Sequence, residues 1–103
     1  MDIKSVLDDR VIDLEMKAEN KEEAITYLAE KLKSAGYIAD VEEYVADIYL
    51  RESQGQTGIG NYVAIPHGKS DSVTQVGIAI GKLDHEIEWE TLDGKGVKLI
   101  FLF

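Results

Sequence analysis

The sequence contains no cysteine, a single proline and no apolar run long enough to span a membrane. The absence of cysteine excludes disulfides, thiolate metal ligands and a cysteine nucleophile. The two histidines have neither HxH nor HExxH spacing, so no metal site is predicted. The first ten residues, MDIKSVLDDR, lack the apolar core of a signal peptide. We therefore expect a cytoplasmic protein without direct membrane insertion.

Basic residues are also few, since eleven Lys and Arg stand against twenty Asp and Glu for a formal net charge of −9. Nucleic-acid binding requires a basic face, so this balance argues against that class of partner. An acidic excess usually means a solvated surface, and it leaves room for a basic protein partner. A length of 103 residues with 45% apolar composition predicts one domain with its own core.

The sequence also lacks the complete glycine motifs of nucleotide-binding loops. There is no GxxxxGK[ST] segment, and the GIG of residues 58–60 has no third glycine of a dinucleotide fingerprint. No cofactor is predicted. The glycines of this region must therefore be interpreted together with the residues that follow them.

The stretch TGIGNYVAIPHG, residues 57–68, places glycines before a short apolar run and the only proline. The apolar run over residues 63–65 predicts a buried strand, which Pro66 ends because proline cannot extend the ladder. His67 then follows at the carboxyl edge of the predicted sheet, where a rigid scaffold often presents reactive side chains. The alternative is a surface or hydrogen-bonded structural histidine, the commoner role of a lone one.

The chemistry around this histidine favours a phosphoryl group over a metal ion. Backbone N–H groups near Gly58, Gly60 and Gly68 have no side-chain cover, and such groups bind anions well. Arg51 can bind a phosphate through two N–H groups, although a cation at a helix end also complements the helix dipole. A neutral imidazole has one nitrogen free to attack phosphorus, and a backbone carbonyl bonded to the other would fix the tautomer.

Two helices are predicted from their capping residues. An Asn or Asp followed three residues later by Glu has the form of an N-cap with an acidic partner, and this occurs at Asn20 and Asp40. The first predicts a helix over Lys21 to Ala35, with Gly36 at its stop. The second predicts a helix that contains Arg51 in its last turn and is broken by residues 53–56.

The remaining apolar segments predict the strands. Residues 11–14 and 76–80 are predicted strands, residues 82–86 a charged turn, and residues 87–90 a short extended piece. The final VKLIFLF, residues 97–103, is typical of a central strand buried on both faces. The order β-α-α-β-β-β predicts a mixed sheet covered by helices. Because an uncovered terminal run of this kind is aggregation-prone, we expect the sequence to be incomplete at its C-terminus.

The residues together resemble the active-site signature of the fructose/mannitol-type enzyme IIA domain of the bacterial phosphoenolpyruvate-dependent sugar phosphotransferase system. The matching segments are Arg51-Glu52, residues 57–61, residues 64–69, Trp89, Asp93-Gly94 and residues 97–103. The resemblance spans the chain from the strand near Val11 onward. It implies a three-layer α/β/α sandwich around a mixed sheet, with residues 1–103 as a single IIA-like domain. Family domains run to roughly 150 residues, with helices after the last strand seen here.

The resemblance implies a role for each matching residue. His67 would accept a phosphoryl group from the phosphocarrier protein HPr and pass it to an enzyme IIB domain, for uptake of fructose- or mannitol-type sugars. Arg51 would stabilise the phosphohistidine. The surrounding phosphate pocket would contain Glu52, Thr57, Gly58, Gly60, Asn61 and Gly68. Mannitol-type members carry a second active-site histidine beyond Phe103, and His85 is interpreted as a surface residue in a turn.

Two other functions fit the same motif. One is a nitrogen-related regulatory IIA-like protein that acts through protein–protein contacts. The other is an interaction domain that keeps the fold and has lost transfer, against which the presence of both His67 and Arg51 argues.

Overall fold

The computed structural model describes residues 7–103. Its elements in chain order are β1 Ile12–Asp13, α1 Lys21–Ser34, α2 Val41–Ser53, β2 Gly58–Gly60, β3 Val63–Ala64, β4 Ala79–Ile87 and β5 Val97–Leu102. A 3₁₀ turn over Asp9–Val11 precedes β1. The prediction that the N-terminus carries no signal peptide falls largely on residues 1–6, which lie outside the described residues.

The five strands form one mixed sheet in the order β1-β4-β5-β3-β2. β5 lies at the centre, antiparallel to β4 and parallel to β3. β1 runs parallel to β4, and β2 runs antiparallel to β3. The predicted central strand at the end of the chain is thereby confirmed. Val97, Ile100 and Leu102 are fully buried there, whereas Leu99 and Phe101 are half-buried.

Both helices begin at the predicted caps. The side chains of Asn20 and Asp40 each accept a hydrogen bond from the backbone N–H three residues further on, at 2.9 Å and 3.0 Å. Such bonds satisfy N–H groups that have no partner within the helix. After α1, Gly36 adopts φ of +87°, a left-handed conformation that glycine reaches without steric penalty. The predicted stop is therefore confirmed.

The helices pack on each other, and α1 also packs on β4 and β5. The apolar faces of these elements form one core, whose largest fully buried members are Met16, Ile25, Leu28, Leu32, Tyr44, Ile48, Leu83, Ile100 and Leu102. The α/β class and the mixed sheet covered by helices are confirmed.

The structure corrects the prediction for β4. Residues 82–86, predicted as a charged turn, lie inside this strand, which runs from Ala79 to Ile87. Leu83 is buried while Lys82 and Asp84 are exposed. This is the alternation of a strand with one solvated face, so the charges mark that face and not a turn. The strand predicted over residues 76–80 consequently starts later, at Ala79.

The structure also adds a strand that was not predicted from the sequence, in the glycine segment. Gly58–Gly60 is β2, so the sheet has one strand more than the predicted order. Gly60 pairs with Val63 across the two-residue turn of Asn61 and Tyr62. Their φ angles of +55° and +66° are those of a type I′ hairpin turn. Glycine has low strand propensity, and here the pairing with β3 overrides it.

Candidate functional site

His67 lies just beyond the end of β3, at the edge of the sheet where the parallel strands β3 and β5 both finish. The backbone N–H of Phe103 donates to the carbonyl of Pro66 at 3.2 Å, which extends the pairing of the two strands to this edge. His67 is half-buried there. The structure thus places the imidazole where the Pro-His-Gly segment predicts it.

A backbone hydrogen bond fixes the tautomer of His67. Its Nδ1 lies 2.9 Å from the carbonyl oxygen of Ile65. Because a carbonyl oxygen only accepts, Nδ1 carries the proton of the neutral ring. Nε2 therefore keeps its lone pair and is the nitrogen available as a nucleophile.

The imidazole of His67 stacks on the ring of Phe103. The two ring centroids are 5.2 Å apart and the planes differ by 12°. The contact arises because each residue follows one of two neighbouring parallel strands. Stacking of this kind restricts rotation of the imidazole and, with the Ile65 bond, sets its direction.

His67 opens into a cleft of about 640 Å³. The other residues that line it are Asp47, Leu50, Arg51, Gln54, Gly68, Lys69 and Phe103. Asp47, Leu50 and Arg51 come from α2, and Gln54 is its C-cap. Their spacing of i, i+3, i+4 and i+7 places all four on one face. The cleft is large enough for a small ligand or for a side chain of a docked protein. It brings two cations, Arg51 and Lys69, to the same space as the imidazole.

Gly68 explains how the strand end comes so close to α2. A Cβ at this position would lie 2.9 Å from the carbonyl oxygen of Asp47 and 3.2 Å from the backbone nitrogen of Ile48. Only glycine leaves room for this approach. The predicted contribution of Gly68 to the site therefore includes setting the distance between His67 and α2.

Arg51 is placed for both roles that its sequence position left open, at the helix end and in an anion site. Its guanidinium donates to the carbonyl oxygen of Gly55 at 2.9 Å, close to the C-terminal end of α2. This bond pairs an oxygen at the helix end with a cation. The same side chain lines the His67 cleft, where its remaining N–H groups can bind an anion.

Glu52 and Thr57 contact each other and not the cleft. The Glu52 side chain is 6% exposed, and its Oε2 accepts from Lys21 Nζ at 2.7 Å. Its Oε1 accepts from the hydroxyl of Thr57, a residue that is itself buried. These residues lie between the two helices and the start of β2, next to the site.

The remaining predicted residues belong to the hairpin. A Cβ on Gly58 would lie 2.4 Å from Thr91 Cγ2, so close packing requires this glycine. The N–H of Asn61 donates to Asp93 at 3.0 Å. Hydrogen bonds from backbone N–H groups, that of Asn61 foremost, hold the pKa of the Asp93 carboxyl below its usual range. Gly58, Gly60 and Asn61 do not line the cleft, and their contribution to a phosphate pocket stays a prediction.

Sequence reasoning left several cleft residues out. Asp47, Leu50 and Gln54 share a helix face with Arg51, and their helical spacing from Arg51 was the signal that would have found them. Lys69 directly follows the Pro-His-Gly segment. Phe103 carries no local signal, because only the pairing of β3 with β5 brings it to His67.

Within residues 7–103, no three His, Asp or Glu side chains cluster closely enough to hold a metal ion. No helix in this part of the chain has the length and apolar character needed to cross a membrane.

The family model described as "Phosphoenolpyruvate-dependent sugar phosphotransferase system, EIIA 2" matches residues 5–103. The chain belongs to this family, the type 2 EIIA components of the sugar phosphotransferase system. The resemblance carried by the Arg-Glu, TGIGN and AIPHGK segments is thereby confirmed.

One relative is the fructose-specific EIIABC component of the phosphotransferase system of Bacillus subtilis (strain 168). It is 37% identical over 102 residues, which cover 99% of this chain and 16% of that protein. The chain spans less than two thirds of the length of several curated relatives that it matches.

Solved structures match the fold over most of this chain. The nitrogen regulatory protein IIA-Ntr from Neisseria meningitidis superposes with a TM-score of 0.83 at 32% identity, covering 97% of this chain and 68% of that one. Enzyme IIAMTL in its complex with phosphorylated enzyme IIBMTL from Escherichia coli superposes with a TM-score of 0.79 at 28% identity. That match covers 93% of this chain and 67% of the other.

Proposed function

We propose that this protein carries phosphoryl groups in a sugar phosphotransferase system, taking them from phospho-HPr onto His67 and passing them to an enzyme IIB domain. The observation that carries the proposal is the hydrogen bond from His67 Nδ1 to Ile65. It leaves Nε2 as the nucleophile of a cleft that also contains Arg51 and Lys69. Membership of the EIIA family supports the reaction class.

The transfer follows from this arrangement. Nε2 of His67 attacks phosphorus, the bond between phosphorus and the donor breaks, and a phosphohistidine forms. The proton stays on Nδ1, where the carbonyl of Ile65 stabilises the positive charge that the ring acquires. Arg51 and Lys69 offset the charge of the phosphoryl oxygens. Phosphoryl transfer depends mainly on positioning and on this kind of charge stabilisation.

Fructose- or mannitol-type sugars are the proposed cargo, because the relatives include fructose-specific and mannitol-specific components. An enzyme IIB acceptor is supported by the structure neighbour solved in complex with phosphorylated IIBMTL. HPr as donor follows from the resemblance of the active-site segments. A cytoplasmic location stays a prediction.

A second candidate is a nitrogen-related regulatory protein that acts through protein contacts. The match to the IIA-Ntr structure, at 32% identity over 97% of this chain, favours it. Both candidates take a phosphoryl group on histidine. They differ in the next step, because only the transport component delivers it to enzyme IIB.

The test is to incubate the protein with phosphoenolpyruvate, enzyme I and HPr and to read its intact mass. We expect a gain of about 80 Da, one phosphoryl group, that is lost in acid and does not form without HPr. Adding a fructose-type or mannitol-type enzyme IIB should discharge it. A folded protein that gains no mass would refute both candidates, and a stable phospho-form that no IIB discharges would favour the regulatory one.

Replacing Arg51 with alanine is expected to slow phosphoryl transfer by about a hundredfold, because a charged donor to the phosphoryl oxygens is lost. Rapid-quench measurement of the transfer rate from phospho-HPr checks this. The transfer rate of Arg51→Lys should lie between those of wild type and Arg51→Ala, since lysine keeps the charge but lacks the fork of N–H groups. Arg10→Ala is the matched control. Arg10 is the only other arginine of the sequence, and it pairs with Asp8 outside the cleft. Equal rates for the two alanine variants would contradict the role of Arg51.

A further inference from the structure

The pair of Lys21 and Glu52 is partly removed from water. Their side chains are 23% and 6% exposed, and the two charged atoms are 2.7 Å apart. A buried carboxylate is costly unless each oxygen is paired, and Thr57 and Lys21 supply one partner for each oxygen. Lys21 Nζ also lies 4.9 Å from the centroid of the Trp89 ring, a further stabilising contact for the cation.

This network joins three elements that lie far apart in sequence. Lys21 is the first residue of α1, Glu52 belongs to the last turn of α2, and Thr57 directly precedes β2. Lys21 and Glu52 are 31 positions apart along the chain. The network therefore fixes the end of α2 and the start of β2 relative to α1.

Arg51 and His67 are both connected to this network. Arg51 is the neighbour of Glu52 in the same helical turn, so anchoring Glu52 sets the rotation of the turn that presents Arg51. On the other side, the N–H of Ile65 donates to the carbonyl of Thr57 at 3.0 Å. The carbonyl of Ile65 in turn accepts from His67 Nδ1.

We propose that Lys21 is a positioning residue for phosphoryl transfer: by pairing with Glu52 it holds Arg51 and His67 in their mutual arrangement without touching the phosphoryl group. This inference rests on the proposed function. Lys21 does not line the cleft, so its effect must pass through Glu52 and Thr57. Removing the lysine leaves the Glu52 carboxylate buried without its cation. The carboxylate must then turn towards water, and it carries the last turn of α2 with it.

The test compares Lys21→Met with wild type in two measurements. The maximal transfer rate from phospho-HPr should fall about tenfold or more, while the phospho-HPr concentration at half-saturation should change little, because positioning and not binding is lost. Nitrogen-15 NMR of the His67 imidazole should show a mixed tautomer in place of Nδ1–H. This second readout needs no phosphoryl donor, so it separates a failure of the inference from a failure of the proposed function.

Three further variants keep the outcome decisive. Lys21→Arg should restore the rate, and Lys21→Met with Glu52→Gln should recover most of it, because no unpaired carboxylate remains. Lys17→Met is the matched control, since Lys17 pairs with Asp84 at 3.5 Å with both side chains largely exposed. A wild-type rate and tautomer in Lys21→Met would overturn the proposal. The proposal would also be overturned if the transfer rates of Lys21→Met and of the double variant fell equally and in step with their thermal stability alone.

Discussion

The His67→Ala protein is expected to fold like wild type and to take up no phosphoryl group. The imidazole is half-buried at a sheet edge, so its truncation removes the nucleophilic Nε2 and one stacking contact with Phe103 while the sheet pairing stays intact. Incubation with phosphoenolpyruvate, enzyme I and HPr should therefore leave the intact mass unchanged. Circular dichroism melting of the same sample should show a transition close to that of wild type.

His85→Ala is the matched control for this prediction. The His85 side chain is 51% exposed on β4, and its Nδ1 lies 2.7 Å from Asp84. Its exposure agrees with the surface role predicted from the sequence, although it lies in a strand and not in a turn. Its removal should leave labelling complete. Labelling of His67→Ala to the wild-type level would contradict the central proposal, whatever the control shows.

The second large effect is expected at Gly58, on stability. An alanine Cβ there would lie 2.4 Å from Thr91 Cγ2 and 2.5 Å from the carbonyl oxygen of Glu90. Because the second contact is with backbone, β2 or the segment beside it must shift. Overpacking of this kind costs about 1–3 kcal/mol. Urea denaturation of Gly58→Ala, followed by circular dichroism, measures the loss.

Two variants test the origin of that loss. Adding Thr91→Ser removes the nearer methyl group and should recover part of the stability, while the contact with Glu90 remains. Gly94→Asn should lower stability less than Gly58→Ala does. Nothing lies within 4 Å of a Cβ at Gly94, so only the backbone cost of its φ of +76° remains, and asparagine adopts such a φ more readily than most residues. A Gly58→Ala protein as stable as wild type would show that the hairpin adjusts freely, which would refute the packing role.

Local chemistry made much of the fold predictable. The capping residues Asn20 and Asp40 act within one helical turn, so their sequence context is enough to place both helix starts. The apolar end of the chain is also predictable as a central strand, since Lys98 is the only polar residue among residues 97–102. The position of His67 after a strand follows from the proline next to it.

The strand boundaries were harder because strand pairing is non-local. Gly58–Gly60 has the composition of a loop and becomes a strand only through its pairing with β3. The charges of residues 82–86 suggest a turn. The alternation of these charges with buried Leu83 identifies a strand only when the pairing with the neighbouring strand is known. A sequence window holds neither partner, so propensity alone gives the wrong assignment in both places.

The sequence by itself determined the family and identified His67 as the candidate central residue, because the segments that carry both are short and continuous. Only the tertiary structure decided which groups surround His67. Phe103 reaches it across two parallel strands, and three residues of α2 with the C-cap Gln54 reach it because Gly68 permits close approach. Lys21 and Glu52 form their ion pair although they are 31 positions apart in the sequence. Contacts of this kind depend on how whole elements pack, and packing is set by the complete core and not by any local pattern.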